Sequence, residues 1–218
     1  MDALGGNQRT LTKFVEDGSP SYSPNGQVLV FSSAREQDRK GRIYQVNGGG
    51  GDDWQLKRGN DPVFGVSPEW LSNGLIVYKG EYPQQGIVIM NADGSAPRLL
   101  ADDASAASPA GSPNDQSVAF MSQRDGNWEV YRVNLDGAGL TRLTNSGAND
   151  GLPVWSPDGK SIAFVSNREG GWAVWAMNAD GSNQRSLFSL PGSPDGIVAG
   201  EPSHNARGWV TERMDWSR

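Results

Sequence analysis

The sequence predicts an all-β fold, a β-propeller built from four-stranded antiparallel blades. Three observations carry this. Turn-forming residues are abundant: 29 of the 218 residues are glycine and 13 are proline, with glycine at roughly twice its usual share of about 7%. No segment sustains apolar residues at helical spacing for ten residues, whereas short β-rich runs recur throughout. One stretch repeats along the chain. Pro153 to Ser166 reads PVWSPDGKSIAFVS and returns as PSYSPNGQVLVFSS from Pro20. Degenerate copies follow Pro68 and Pro109. The equivalent turn positions 26, 74, 115 and 159 are 48, 41 and 44 residues apart, the period of a propeller blade.

Each unit resolves into four strands. The first ends at the residue before Ser-Pro-Asn/Asp-Gly, where proline presets φ and glycine accepts a positive φ. The second is the run typified by Ile162-Ala163-Phe164-Val165. The third strands are Ile43–Asn47, Ile87–Asn91, Val130–Asn134 and Val174–Asn178. Asn-x-Asp-Gly turns at 91–94, 134–137 and 178–181 then lead to a fourth strand carrying Arg98, Arg142 or Arg185. The third strands are apolar on both faces, as stacked blades require and a sheet wetted on one side does not. Blades are expected over about 17–58, 61–101, 105–145 and 150–189. Residues 1–12, which align with 177–188, and residues 192–218 are expected to share a composite, irregular terminal blade, in one domain over 1–218. An open ring, or a piece of a longer propeller, is the rival.

Pro-x-Trp-Ser-Pro-Asp-Gly, Ile-Ala-Phe, Asn-Ala-Asp-Gly and Arg-x-Leu in register over about residues 1–190 resemble the TolB-type (WD40-like) β-propeller repeat. The resemblance implies a non-enzymatic protein-interaction or ligand-sensing domain in a larger cell-envelope or signalling protein, in a periplasmic or extracytoplasmic setting. It implies a protein partner or small ligand at the channel mouth, or another domain of the same parent chain.

Composition narrows the chemistry. The net charge of −6 opposes binding to phosphate backbones, so no nucleic acid is expected. No run of about 18 apolar residues provides a membrane span. Cysteine is absent and His204 is the single histidine, which removes thiol chemistry and the several-histidine metal cluster of propeller lyases that share the repeat. No Gly-x-Ser-x-Gly is present. Gly48–Gly51 lacks phosphate-loop spacing, and no cofactor motif is found. The Asn-x-Asp-Gly segments lack the closing acidic residue of a calcium loop and read as hairpin turns. His204 reads as an exposed loop residue.

The candidate binding residues are therefore Asp17, Asp61 and Asp150, as a carboxylate ring at the channel mouth for a cation or basic peptide, and Trp54, Trp128 and Trp209, as aromatic anchors at strand starts or loops. Asp17 and Asp150 each precede a first-strand proline by three residues. Arg35, Arg124 and Arg168 each follow a serine by two residues. Such repetition points to cross-linking of strands or blades. Trp70, Trp155, Trp172, Trp175 and Trp216 read as blade packing. No catalytic or metal site is expected. The enzyme alternative, acting on carbohydrate or peptide, would need a carboxylate pair such as Asp61 with Glu81.

Overall fold

The computed structural model describes residues 9–194 and 213–216. Four antiparallel sheets of four strands follow one another along the chain. The first contains β1 (Asp17–Tyr22), β2 (Val28–Ser33), β3 (Arg42–Asn47) and β4 (Asp53–Gln55). A two-stranded hairpin, β5 (Lys57–Arg58) and β6 (Asp61–Pro62), leads to the second. That sheet contains β7 (Gly65–Trp70), β8 (Ile76–Gly80), β9 (Gly86–Met90) and β10 (Arg98–Asp102). The third holds β11 (Ala107–Gly111), β12 (Ser117–Ser122), β13 (Glu129–Asn134) and β14 (Thr141–Arg142). The fourth holds β15 (Asp150–Trp155), β16 (Ser161–Ser166), β17 (Ala173–Asn178) and β18 (Arg185–Ser189). The chain is an all-β propeller of such blades, and the described residues contain no helix.

The repeated turn is held by one device. The hydroxyls of Ser23, Ser112 and Ser156 donate to the side chains of Asn25, Asn114 and Asp158 at 2.7–2.8 Å. The same oxygens accept the N–H groups of Val28, Ser117 and Ser161 that open the second strands. A serine followed by proline and Asx thus closes the turn without further residues. In the third copy Asp115 stands in the glycine position at φ 53°. Its carboxylate accepts from the Ser72 N–H of the neighbouring blade at 3.1 Å. The Asn-x-Asp-Gly turns work alike: Asp93, Asp136 and Asp180 accept N–H groups two residues on at 2.8–2.9 Å. Their carboxylates are occupied by the hairpins.

Packing between blades explains the two-sided apolar third strands. Val30 and Ile43 meet Ile76, Tyr78, Val88 and Met90. Val77, Ile87 and Ile89 meet Val118, Phe120, Tyr131 and Val133. Ala119 and Val130 meet Ile162, Phe164, Trp175 and Met177. Leu56, Leu100 and Leu143 occupy equivalent fourth-strand positions, following residues aligned with Tyr44, Val88 and Tyr131. Each is buried against the next sheet. The corresponding Leu187 follows the partner of Trp175 and is 44% exposed. On the opposite flank, Leu11 packs on Leu29, Phe31, Tyr44 and Val46 of the first sheet, the place a preceding blade's leucine would take. Residues 9–12 and 213–216 form no strand. Residues 192–194 form no strand either, and the rest of the expected composite blade lies outside the described residues.

Candidate functional site

The first strand of each sheet lies nearest the axis: β1 packs beside β7, β7 beside β11, and β11 beside β15. All four carry the same irregularity. Their pairing with the second strand slips between Gly18 and Ser21, Val66 and Glu69, Ala107 and Ala110, and Gly151 and Val154. At each slip a residue with positive φ precedes proline: Ser19, Ser67, Ser108 and Leu152, at 48–52°. A bulge of this kind re-aims the strand and releases backbone groups from the ladder.

The far ends of these strands enclose a cavity of about 650 Å³, with walls from all four sheets and from Arg213–Trp216. Its charged residues are Glu69 of β7, Arg213 and Asp215. Glu69 accepts the Gly111 N–H at 3.3 Å and is ion-paired with Arg213. Arg213 also donates to the Pro68 carbonyl at 3.0 Å. Burial pushes the Glu69 carboxyl up, Arg213 and the Gly111 N–H oppose the rise only in part, and the negative charge of Asp215 adds to it. A buried carboxylate in this state favours a cation beside it. Met214 packs on the cluster of Ala107, Met121, Leu152 and Val165.

The expected carboxylate ring divides. Asp17 lies beside Arg35 at 4.0 Å and lines an adjoining cavity of about 610 Å³ around the start of β1, which shares Pro20 and Arg213 with the first. Asp150 is buried, with Arg168 Nη2 donating to Oδ2 at 2.6 Å and the Ser146 hydroxyl at 3.1 Å. Burial raises its carboxyl, Ser166 and Arg168 oppose the rise, and Glu129 adds to it. Asp61 is exposed on the β5–β6 hairpin. Of the three, only Asp17 lines either cavity. Trp54 is exposed on β4. Trp128 is partly buried against the cluster of Met121, Leu152 and Val165, so it packs and does not project. Trp209 and His204 lie outside the described residues. Glu81 lines a third cavity of about 280 Å³ with Lys40 and Lys79, and Asp61 is not among its walls.

The serine–arginine repetition cross-links strands in the third and fourth sheets. Arg124 and Arg168 lie over Tyr131 and Trp175 at 5.1 and 4.5 Å from the ring centroids, each ion-paired with an aspartate. In the third sheet that aspartate is Asp103, which lies further from the proline than the spacing of Asp17 and Asp150 suggested. Glu69 and Arg213 were also missed. Glu69 occupies a position held by Ser21, Ala110 and Val154 in the other sheets, and that departure from the repeat was the available signal.

The model of the TolB beta propeller domain matches residues 50–196, more than half of the chain. The chain belongs to this family. Among solved structures, it is similar to a putative TolB from Agrobacterium tumefaciens, with 23% identity and a TM-score of 0.69 over 84% of this chain and 65% of that one. TolB from Acinetobacter baumannii gives 19%, 0.70, 84% and 47%. An oligogalacturonate lyase from Vibrio parahaemolyticus gives 14%, 0.59, 87% and 58%. These likenesses show the fold. The chain spans less than two thirds of the length of both TolB structures.

Chemically, the TolB-type axis offers a walled cavity with two carboxylates, Glu69 and Asp215, and the Arg213 guanidinium. That is equipment for holding an extended segment bearing a cation.

Proposed function

We propose that this domain is a non-enzymatic interaction or ligand-sensing propeller, part of a larger cell-envelope or signalling protein, that holds an extended peptide segment in its axial channel. One observation supports the reading above others. The chain's own Arg213–Trp216 lies in the channel, with Arg213 against Glu69 and the Pro68 carbonyl. The segment combines a guanidinium with an aromatic ring, the residue types that anchor interfaces. The domain is taken to span 1–218, with the terminal residues joining a fifth blade. Its setting is extracytoplasmic, which fractionation of cells carrying the tagged parent protein tests.

The test of binding is a titration of the full chain with acetyl-Arg-Met-Asp-Trp-amide. Saturable binding is expected, stronger in Arg213→Ala, where the internal occupant is weakened, and lost in Glu69→Gln. Absence of saturable binding in both the native chain and Arg213→Ala, with turnover of oligosaccharide or peptide substrates, would replace this reading with the enzymatic one.

A further inference from the structure

The serine, arginine and aspartate of the cross-link recur in the first, third and fourth sheets and are missing from the second. In the first and fourth, the aspartate of the first strand faces the last serine of the second strand, Asp17 with Ser33 and Asp150 with Ser166. In the third sheet Asp103 supplies the carboxylate. The matching pair of the second sheet is Gly65 and Gly80. Two residues after the serine come Arg35, Arg124 and Arg168, whereas Tyr82 comes two residues after Gly80. The aromatic platform is gone as well. Tyr44, Tyr131 and Trp175 pair with Phe31, Phe120 and Phe164, whereas Val88 pairs with Tyr78. Even in the first sheet, where Arg35 is drawn onto Asp53 at 2.9 and 2.5 Å, its guanidinium lies over Tyr44 at 3.9 Å. Repeated positions serve the scaffold. A departure at all four of them in one blade frees that place for another task.

A cavity of about 280 Å³ stands there, lined by Gly80 and Tyr82 together with Lys40, Phe64, Lys79 and Glu81. Lys79 holds the position at which Ser32, Met121 and Val165 are buried in the other sheets. The Lys40 ammonium lies 5.5 Å from the centroid of Phe64. The arginines on either side of Lys40 are committed: Arg39 pairs with Glu16 at 2.8 Å and Arg42 with Asp38 at 2.6 Å. Among the described residues neither Lys40 nor Lys79 forms an ion pair. Lys40 and Tyr82 are exposed, so the cavity opens to solvent. Two ammonium groups against one carboxylate leave its walls with a surplus positive charge, in a chain whose net charge is −6.

We infer that this cavity is a binding site for a carboxylate carried on an apolar stem, with Lys40 and Lys79 donating to the carboxylate and Phe64 and Tyr82 flanking the stem. Each ammonium offers three donors and no acceptor. A monoanion matches the surplus charge. A phosphate monoester, at about −1.5 to −2, would set its excess against Glu81. The volume sits near the lower bound of small-molecule pockets, about 300 Å³, which suits a short stem. The cavity shares no wall residue with the channel cavity or with the one around the start of β1. The inference goes beyond the peptide-binding reading and stands without it.

The experiment is calorimetric titration of the full chain, at neutral pH and low salt, with phenylacetate and with acetyl-Gly-Phe bearing a free C-terminal carboxylate. Acetyl-Gly-Phe-amide is the neutral control. Saturation by both carboxylates assigns the site to either source. Saturation by phenylacetate alone assigns it to free small acids, and by the peptide alone to chain termini. Lys79→Gln, at a half-buried position, weakens binding about tenfold or more, the scale of a lost charge-assisted hydrogen bond. Lys40→Gln, at an exposed one, weakens it less. Glu81→Gln strengthens binding, because it removes the one charge that opposes the anion. A residue that merely shaped the cavity would not act in that direction. Lys160→Gln, an exposed lysine in the turn of the fourth sheet, leaves binding unchanged. No saturation by either carboxylate overturns the inference. So does equal binding of the amide, or undiminished binding in both Lys40→Gln and Lys79→Gln.

Discussion

Truncating the fourth-strand leucines to alanine separates a covered flank from an open one. Leu143 is 6% exposed and sits between the third and fourth sheets. Its removal deletes buried carbons and leaves a hole that two sheets of hydrogen-bonded backbone cannot close. Leu143→Ala is therefore expected to cost about 2–5 kcal/mol. Leu187 holds the same place in the repeat but is 44% exposed. Only about half of its transfer free energy is realised, with no cavity left, so Leu187→Ala is expected to cost about 1 kcal/mol. Leu11, half-buried on the first sheet, falls between them. The assay is urea unfolding followed by tryptophan fluorescence. With a slope of about 1–3 kcal/mol per molar urea, Leu143→Ala lowers the midpoint by roughly 1 M or more, and Leu187→Ala by less than half of that. Equal shifts for the two variants would refute the argument that fourth-strand leucines clasp consecutive blades.

Acid stability follows Asp103. Burial pushes its carboxyl up, but hydrogen bonds from Ser122, Ser105 and Arg124 more than reverse this and hold it below the usual range. Its contribution is therefore present above the unfolded pKa, about 3.9, and is lost as the pH falls through the lower folded value. Asp103→Asn should flatten that part of the acid limb in unfolding measured from pH 5 to 2. Glycines in the turns should rank by space: Gly159→Ala meets only strain at φ 69°, whereas Gly181→Ala at φ 89° also brings Cβ to 2.8 Å from the Leu143 carbonyl. Thermal melts should show both destabilised, Gly181→Ala the more. Ser67→Gly relieves a φ of 52° and is expected to raise the melting temperature by a few degrees, since a left-handed conformation costs a non-glycine residue about 1 kcal/mol.

The blade pattern was legible because its determinants are local. Ser-Pro-Asx and Asn-x-Asp-Gly specify their turns through their own side chains, and the second and third strands follow by hairpin pairing. Ser-x-Arg was legible as a cross-link for the same reason: it repeats. The β5–β6 hairpin was not, because Lys57, Arg58, Asp61 and Pro62 carry no alternation and are placed by the sheets on either side. The candidate site was harder still. Glu69 belongs to the channel through Arg213, which is 144 residues away in sequence. Asp17 differs from Asp150 because Asp53 draws Arg35 aside. Nothing within a few residues of Asp17 or Glu69 announces either relation; both arise from geometry across blades.

β4 and β14, the outermost strands of their sheets, are three and two residues long. Such brevity gives foreign chains little to pair with. β18 is five residues long, exposed along its whole length, and carries Leu187 and Phe188 side by side. Its outer rim is a template on which extended polypeptide can grow, and Arg185 is the charged gatekeeper within it. Among the described residues this margin joins two exposed apolar side chains to a strand edge: a lysine at position 187 or 188 should curb self-association while leaving the interior of the molecule untouched.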